Sequence, residues 1–495
     1  MTIDLDFCRL ISRNLERSME DLQQMIVEQI YTGCLAQGAY YIQSENEVAI
    51  IDPLREVKPY IEKAAAAGAR IKYVFETHFH ADFVSGHIDL SKNTGAPIIF
   101  GPGANPDFEA HIAKNNEEFK LGRVTIKVLH TPGHTMESAC YLLLDESGEQ
   151  KALFSGDTLF IGDVGRPDLA QKAAHLSQED LAGVLFDSLR DKIMPLNDDV
   201  IVYPAHGAGS ACGKNMSRET TDTLGNQKKY NYALRANMTR DEFIAEVTDG
   251  LLPPPAYFPM NVKLNREGYE SIEDVLNQGS RPLLPDAFET AANETGAVII
   301  DTRDPEVFAG EFIPNSVNIG IDGSFAPWVG ALITDIKQPI LVVAEPGREE
   351  EIVTRLARVG YDHAIGYLQG GINAWKTAGK ETDHIQSISA VELAALSTKT
   401  GICLVDVRKP NEFETEHVAG AENIPLDYIN DNMSQLTKNK TYYVHCAGGY
   451  RSMVFSSIMK ARGYEHLVNI KGGFTALKSS NKFALSPSLE SGAEI

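Results

Sequence analysis

The sequence predicts an α/β protein built from several domains. Its 495 residues exceed what one hydrophobic core usually holds, so roughly two to four domains are expected. In the carboxyl-terminal half, short β-branched runs such as Gly296-Ala-Val-Ile-Ile-Asp301 and Thr441-Tyr-Tyr-Val-His445 alternate with helical stretches. This alternation is typical of parallel sheets covered on both faces. In the amino-terminal half, apolar runs that end in histidine or aspartate indicate strands that deliver polar side chains to one place.

The first candidate site begins in the run Thr77-His78-Phe79-His80-Ala81-Asp82-Phe83. His134 follows a second strand-like run, and Asp157 follows a third in Leu153-Phe-Ser-Gly-Asp157. Two imidazoles and one carboxylate on one face of a metal form the ligand set of non-heme Fe(II) oxygenases, so a redox reaction is the leading hypothesis. The alternative is a set of loop or core histidines. Iron and zinc both suit these ligands, and the residues alone do not choose between them.

Charge and cysteine usage narrow the class of protein. The side chains comprise 45 basic and 68 acidic groups, a net charge of -23, which argues against binding to nucleic acid or anionic lipid. The cysteines have no C-x-x-C spacing, which argues against a disulfide framework and a zinc knuckle; they are Cys8, Cys34, Cys140, Cys212, Cys403 and Cys446. No run approaches the roughly 20 apolar residues of a membrane span, so a cytoplasmic protein is expected.

The prolines in Leu251-Leu-Pro-Pro-Pro-Ala256 mark the end of a first block, predicted over residues 25–255. Residues 1–24 carry apolar side chains near helical spacing, which predicts an added amphipathic helix for packing or dimer contact. A dimer or tetramer is compatible with that extension.

An internal repeat follows the first block. Asp301-Thr-Arg-Asp-Pro-Glu-Val-Phe308 recurs as Asp406-Val-Arg-Lys-Pro-Asn-Glu-Phe413, and Gln369-Gly-Gly-Ile-Asn-Ala-Trp375 recurs as Lys471-Gly-Gly-Phe-Thr-Ala-Leu477. Two copies of one small α/β domain are therefore predicted, over residues 265–382 and 386–485, with a tail over 486–495.

The second copy contains a candidate nucleophile in the loop Cys446-Ala447-Gly448-Gly449-Tyr450-Arg451. A cysteine between a strand and the amino terminus of a helix, near an arginine, is favoured as the nucleophilic thiolate, and glycines let the loop curl around a bound sulfur. In the first copy the loop reads Val343-Ala-Glu-Pro-Gly-Arg348 and has no cysteine. That loop therefore has no candidate nucleophile.

These repeats resemble rhodanese domains in the Asp-x-Arg…Phe opening, a Gly-x-x-x-Asn-Ile turn, the catalytic loop and the Gly-Gly pair before the last helix. The resemblance implies that Cys446 carries sulfane sulfur as a persulfide and that Arg451 closes the loop. It also implies a substrate site lined by Ala447, Gly448, Gly449 and Tyr450. The first copy would be a catalytically inactive domain that spaces, orients or docks the other two.

The first block resembles the metallo-β-lactamase fold, an αββα sandwich, and within that superfamily the persulfide dioxygenases related to glyoxalase II. Dinuclear hydrolases of this fold read His-x-His-x-Asp-His, and here Phe83 replaces the last histidine. The run Gly165-Arg-Pro-Asp168 also resembles that family's Gly-Arg-x-Asp signature. The resemblance implies one Fe(II) per chain, bound by His78, His134 and Asp157. It also implies that three further residues lie beside these ligands without binding the iron: His80, Asp82 and His206.

Three assignments stay open at the sequence level. In other branches of the fold the positions of His80, Asp82 and His206 bind metal, so a second site that includes Asp157 remains an alternative. Cys212 lies six residues after His206 and either binds or relays sulfur or is a buried small hydrophobe. Arg166 either pairs with an anionic substrate or forms a salt bridge with Asp168.

The order of domains resembles the fused bacterial persulfide dioxygenase-rhodaneses. This likeness implies that a small-molecule thiol persulfide and O2 react to give sulfite, and that Cys446 exchanges sulfur between persulfide, sulfite and thiosulfate in a direction that the sequence does not fix. A glyoxalase II-like thioester hydrolase is the alternative enzyme. A third alternative is a sulfur-relay or binding protein in which only Cys446 works. No motif identifies the thiol.

Overall fold

The computed structural model describes residues 25–171, 175–397 and 401–486. The helix predicted within residues 1–24 and the tail from residue 487 onwards lie outside these ranges. The chain divides into two compact units, of which the first extends to Ile272 and the second begins at Glu273. No helix in the described ranges is long and apolar enough to cross a membrane.

In the described part of the first unit, two six-stranded sheets pack on each other. The first sheet has the order β1-β2-β3-β4-β5-β6, with strands at Ile26–Thr32, Gln37–Ser44, Glu47–Ile51, Arg70–Phe75, Ile98–Phe100 and His111–Ile112. The second has the order β12-β11-β10-β9-β8-β7, with β7 to β12 at Glu118–Leu121, Val124–His130, Ala139–Leu144, Gln150–Gly156, Ile201–Pro204 and Asp222–Thr223. One buried cluster draws on both sheets and includes Ile42, Phe75, Val128 and Phe154.

Helices cover the outer faces of both sheets. The described helices are α1 to α6, at Lys58–Ala66, His87–Thr94, Gln178–Ser188, Leu224–Tyr230, Arg240–Thr248 and Phe258–Glu267. Tyr60 of α1 packs in a cluster with Val48 of the first sheet. Leu185 of α3 and Phe243 of α5 pack in another cluster with Val202 of the second sheet. This is the predicted αββα arrangement.

Helix α6 lies beyond the prolines that were expected to end the first block, yet it belongs to the first unit. The buried amide of Asn265 donates from Nδ2 to the carbonyl oxygens of His80 and Phe83, at 2.8 Å each, and its Oδ1 accepts from Ser85 N at 2.9 Å. These bonds satisfy backbone groups that would otherwise be buried without partners. The prolines therefore form a connection within the first unit, and the unit ends at Ile272 rather than at residue 255.

The second unit contains the two predicted copies, each with a five-stranded parallel sheet. In the first copy the order is β13-β17-β16-β14-β15, with β13 to β17 at Pro282–Leu283, Val298–Asp301, Val317–Asn318, Ile340–Val343 and Ala364–Leu368. In the second copy, β18 and β19 are Gln386–Ile388 and Leu404–Asp406, and β21 to β23 are Glu422–Asn423, Tyr442–His445 and Leu467–Ile470, in the order β18-β23-β22-β19-β21. The two orders match strand for strand, which confirms the parallel sheets. A separate antiparallel pair joins β20, His417–Val418, to β24, Leu485–Ser486.

The helices of the first copy are α7 to α12, at Ile272–Gly279, Pro285–Thr295, Pro305–Gly310, Phe325–Leu332, Glu349–Arg358 and Gly371–Thr377. Those of the second copy are α13 to α17, at Ala390–Ser397, Pro410–Thr415, Ile429–Asn432, Tyr450–Ala461 and Gly473–Ser479. Strand β16, Ile340–Val343, in the middle of the first copy's sheet, is buried along its whole length, as expected for a sheet covered on both faces.

Candidate functional site

Three predicted ligands meet in the first unit. His78 follows β4, His134 lies between β8 and β9, and Asp157 follows β10, so three strand ends converge as the sequence predicts. Asp157 Oδ2 lies 3.3 Å from His134 Nε2 and 3.8 Å from His78 Nε2. One ligand atom from each of the three buried residues lies within 4.8 Å of the others.

The chemistry of these donors fits a divalent cation. Both carboxylate oxygens of Asp157 are buried and have no hydrogen-bond partner among the described residues. Burial, together with the nearby His80 and His134 rings, holds the pKa of His78 well below its ordinary value and keeps the neutral imidazole that a metal requires. Two imidazoles and a carboxylate with unpaired oxygens form a suitable site for Fe(II) or Zn²⁺.

Hydrogen bonds on the far side orient the two imidazoles. His134 Nδ1 donates to the carbonyl oxygen of Arg166 at 2.8 Å, which leaves Nε2 as the ligand atom. The Thr77 hydroxyl donates to Asp52 at 2.9 Å and lies 3.0 Å from His78 Nδ1, so it accepts from that nitrogen. Asp52 also accepts from the backbone N–H of Thr77 at 2.8 Å. The Asp52 carboxylate thus holds the Thr77 hydroxyl, and this hydroxyl fixes the His78 ring.

His80 is directed toward two buried carboxylates. Its Nε2 lies 3.1 Å from Asp52 Oδ1 and 3.4 Å from Glu76 Oε2. Burial alone would lower the pKa of His80, but these two carboxylates outweigh it and raise the pKa to about 10. The Phe83 ring packs on the His80 ring with centroids 4.3 Å apart and is fully buried. The His80 ring also lies beside that of His78, with centroids 4.2 Å apart, and the role predicted for His80 stays a prediction.

Asp82, His206 and Cys212 form a polar wall next to Asp157. His206 Nε2 lies 3.4 Å from Asp82 Oδ2 and 3.6 Å from Asp157 Oδ1. Burial would lower the pKa of His206, but the two carboxylates raise it well above its ordinary value. One ligand atom each of Asp157, His206 and Cys212 lies within 4.8 Å of the others, and so do those of His80, Asp82 and His206. Either trio could hold a second cation.

Cys212 borders the candidate metal site, as the sequence predicts. Its side chain is buried, and burial followed by the charges of Asp82 and Asp157 raises the pKa of the thiol to about 12. A protonated thiol is a weak nucleophile, so the raised pKa opposes an independent attack by Cys212. Its place beside Asp157 and His206 leaves the thiol facing the candidate metal site.

Of the two roles open for Arg166, the structure contains the salt bridge. Its Nε and Nη2 donate to the two carboxylate oxygens of Asp168 at 2.6 and 2.7 Å. Nη1 and Nη2 also donate to the carbonyl oxygens of Ala211 and Leu252, at 3.1 and 2.6 Å. Four of the five guanidinium N–H groups are thus bonded to the protein, which favours the salt-bridge role, and substrate binding by Arg166 stays a prediction. The carbonyl of Arg166 positions His134.

Sequence reasoning missed Asp52, Glu76 and Asn265. Asp52 directly follows β3, so the strand-end rule that identified Asp157 could have found it. Its backbone adopts φ +50°, a left-handed conformation that aspartate tolerates better than most residues. Asn265 lies 185 residues from His80 in sequence, and no local pattern connects them.

In the second copy, Cys446 lies between β22 and α16, as predicted. Its Sγ is buried and accepts from the backbone N–H of Gly449 at 3.1 Å. Gly449 has φ +111°, which favours glycine. On the other side, a Cβ at Gly473 would lie 2.4 Å from the Cys446 carbonyl oxygen, so only glycine allows this approach. Arg451 donates to both carboxylate oxygens of Glu412, at 2.6 and 2.8 Å.

The loop of the first copy follows the equivalent strand. Asp301 pairs with Val343 in the first sheet and Asp406 pairs with His445 in the second, so Ala344 occupies the position of Cys446. The backbone N–H of Gly347 donates to the carboxylate of Glu349 at 2.9 Å. In this copy the Glu349 carboxylate therefore accepts a hydrogen bond from the loop backbone. Ala344, at the position of Cys446, cannot carry sulfur.

Two family models match the chain. The metallo-beta-lactamase superfamily covers residues 32–206, and the rhodanese-like domain covers residues 284–378 and 389–480. Among solved structures, a metallo-beta-lactamase from Staphylococcus aureus subsp. aureus COL is 32% identical with a TM-score of 0.61, over 70% of this chain and 98% of that chain.

Curated relatives match the amino-terminal half. The probable hydroxyacylglutathione hydrolase glo2 of Schizosaccharomyces pombe is 34% identical over 32% of this chain, and the match spans only 58% of that protein's length. The mitochondrial persulfide dioxygenase ETHE1 of Homo sapiens is 27% identical over 45% of this chain and 80% of that protein.

Proposed function

Because this chain belongs to the metallo-β-lactamase superfamily and carries two rhodanese-like domains after that domain, we propose that it is a persulfide dioxygenase fused to a sulfurtransferase. Hydrolases and persulfide dioxygenases both occur among its relatives, so the choice between them depends on the site.

The observation that carries the proposal is the Phe83 side chain. In the dinuclear hydrolases that the sequence resembles, this position supplies a histidine to a second metal, whereas Phe83 is fully buried against His80 and has no ligand atom. The remaining trio of His78, His134 and Asp157 matches the two-histidine, one-carboxylate set of non-heme Fe(II) oxygenases. This favours oxidation at a single metal.

The proposed first reaction consumes one persulfide, one O2 and one water, and gives a thiol, sulfite and two protons. A bound Fe(II) would supply the redox chemistry that lets O2 react with sulfur. The chain would hold the ion with His78, His134 and Asp157, while Thr77 and Asp52 fix the ring of His78. Cys212 and His206 would face the substrate sulfur from the neighbouring wall.

In the proposed second reaction, a persulfide on Cys446 transfers its terminal sulfur to sulfite. Sulfite attacks this sulfur, the S–S bond to Cys446 breaks, and thiosulfate leaves while the Cys446 thiolate is regenerated. The reverse reaction charges Cys446 from thiosulfate. The N–H of Gly449, already directed at Sγ, would stabilise the anionic sulfur. Sulfite, the product of the first reaction, is a substrate of the second.

The second candidate function is hydrolysis of a thioester. The trio Asp157, His206 and Cys212 could hold a second cation beside the first, and the hydroxyacylglutathione hydrolase relatives favour this alternative. Metal content distinguishes the two, since the dioxygenase needs one iron per chain and the dinuclear hydrolase needs two ions.

The test is oxygen uptake by Fe(II)-loaded protein given a small-molecule persulfide, with iron, sulfite and thiosulfate quantified. We expect His134→Ala to lose both iron and oxygen uptake, and His130→Ala, a control at the end of β8, to keep both. Cys446→Ser should keep oxygen uptake and release sulfite without thiosulfate. Thioester hydrolysis without oxygen uptake would overturn the proposal and favour the hydrolase.

A further inference from the structure

Tyr450, the first residue of α16, reaches out of its own copy into the other. Its hydroxyl donates to the carbonyl oxygen of Gly320 at 2.9 Å. Its ring lies against Gly323, where a Cβ would approach Tyr450 Cε2 to 2.4 Å, and against Gly320, where a Cβ would approach it to 3.2 Å. Burial raises the pKa of Tyr450 well above its ordinary value. Glycine at these two positions makes room for the ring.

The segment that receives Tyr450, residues 320–323, is fastened from within the first copy. Arg355 donates from Nη1 to the Ile321 carbonyl oxygen at 2.7 Å. Arg348 pairs with the Asp322 carboxylate at 2.8 Å. Because Arg348 belongs to the loop that lacks a cysteine, that loop retains a structural role, since it holds the segment on which Tyr450 rests.

The rest of α16 also packs on the first copy. The backbone N–H of Asn318 donates to Ser457 Oγ at 2.9 Å, and Met453 packs in one buried cluster with Phe308 and Phe312. All residues from Ser452 to Met459 are buried. The helix that begins at the cysteine loop thus contacts the cysteine-free copy through Tyr450, Met453 and Ser457, in addition to packing on its own sheet.

We propose that Tyr450 is a positioning residue for Cys446 and that residues 320–323 fix the catalytic loop through it. Ala447, Gly448 and Gly449 separate the cysteine from Tyr450, and the two glycines can adopt many backbone conformations. The loop needs an anchor at each end to keep the Gly449 N–H directed at Sγ. One anchor is the bond from Phe474 N to the Cys446 carbonyl oxygen at 2.6 Å, and the other is Tyr450. The inference rests on the proposed function in taking Cys446 as the reactive thiol.

The test compares two variants, one in each copy. Tyr450→Phe keeps the ring but removes the bond to Gly320, and Gly323→Ala displaces the Tyr450 ring through a substitution made in the first copy alone. Tyr367→Phe, on β17, is the matched control. The readouts are kcat and KM for sulfur transfer from thiosulfate to cyanide, and the pH profile of the alkylation rate of Cys446 by iodoacetamide, followed on the Cys446 peptide.

We expect Tyr450→Phe to lower kcat about threefold to tenfold, which corresponds to the loss of one hydrogen bond. Gly323→Ala should lower it by about tenfold or more, and both variants should shift the alkylation profile of Cys446 to higher pH. The control should match the parent protein.

An unchanged alkylation profile and kcat in a folded Tyr450→Phe protein would overturn the inference, as would a lower thermal midpoint with no change at Cys446. If Gly323→Ala fails to fold, Tyr450→Phe decides alone. If the parent protein transfers no sulfur, the sulfurtransferase proposal fails, whereas alkylation of Cys446 still tests the positioning role.

Discussion

The two rhodanese-like copies share a scaffold and differ in the loop that it presents. In both, a buried arginine forms a bidentate ion pair with a buried aspartate at the end of a strand. Arg303 donates to Asp301, and Arg408 donates to Asp406, each through Nε and Nη2. An asparagine then bridges the aspartate and arginine carbonyl oxygens, Asn318 in one copy and Asn423 in the other.

Above this scaffold the loops diverge in what their backbone N–H groups bind. In the second copy the Gly449 N–H is directed at the Cys446 sulfur, and in the first the Gly347 N–H is directed at the Glu349 carboxylate. The comparison teaches that the sheet and its buried ion pairs specify the domain, while a few loop residues specify the chemistry. The two sheets keep the same strand order although one loop carries a cysteine and the other does not.

The largest expected effect comes from exchanging the cysteine between copies. Cys446→Ser should lower sulfur transfer by about a thousandfold or more, because the nucleophile is removed. Adding Ala344→Cys to that variant should not restore it, because Glu345 and the engaged N–H of Gly347 disfavour an anionic sulfur. Thiosulfate consumption measures both variants. Restored turnover in the double variant would show that the loops are chemically equivalent.

The next effect concerns what the copies share. Asp301→Ala and Asp406→Ala each leave a buried guanidinium unpaired, so each should lower the opening free energy of its own sheet by about 3–5 kcal/mol. Amide hydrogen exchange in β14 and β19 reports the two copies separately. Exposed Asp431→Ala is the control. A large loss in one copy alone would break the scaffold equivalence.

Much of this organisation could be predicted from the sequence, because its signals are local or repeated. The recurrence of the Asp301 and Asp406 motifs predicts two like sheets, and apolar runs that end at His134 and Asp157 predict their convergence. The parallel sheets follow from the alternation of strand-like and helical stretches, whereas the αββα sandwich follows from the family resemblance alone.

What the sequence could not supply are contacts between residues far apart in the chain. Asn265 donates a hydrogen bond to the carbonyl oxygen of His80, 185 residues away in sequence. No local pattern reveals this contact, so the prolines before Asn265 looked like the end of a domain. Tyr450 binds Gly320 across 130 residues, so its motif suggested only substrate contact. For Arg166 the sequence indicates proximity to Asp168 but not the carbonyl oxygens of Ala211 and Leu252 that also accept from it.

A smaller effect should separate the two loop arginines. Arg451 forms a bidentate ion pair with Glu412, and lysine cannot reproduce this geometry. We therefore expect Arg451→Lys to lower kcat/KM for sulfur transfer about tenfold. Arg348→Lys should lower it only about twofold, since Arg348 acts through Asp322 and Tyr450. Steady-state kinetics with thiosulfate measures both. Equal effects would contradict the indirect role of Arg348, which is to hold the segment that receives Tyr450 rather than to act in the loop of Cys446.

The smallest effect is a common acid sensitivity. Arg451 lowers the pKa of Glu412, and Arg348 with Arg355 lowers that of Glu351, although burial opposes both shifts. A carboxyl group whose pKa is lowered by folding stabilises the folded protein. This contribution is complete at pH values above the unfolded pKa of 4.5, and it is lost as the pH falls through the pKa of the folded state. Because the carboxylates are 34% and 37% exposed, solvent screening limits each contribution to about 1 kcal/mol or less.

Glu412→Gln and Glu351→Gln should therefore each reduce the fall in thermal midpoint between pH 7 and pH 4, and by similar amounts. Exposed Glu294→Gln is the control, and urea midpoints at the two pH values provide a second measure. Equal reductions would show that the arginine–glutamate pair stabilises a copy whether or not its loop carries sulfur. A reduction in the second copy alone would instead tie the pair to the cysteine loop, since Arg451 belongs to that loop and Arg348 belongs to the loop without a cysteine.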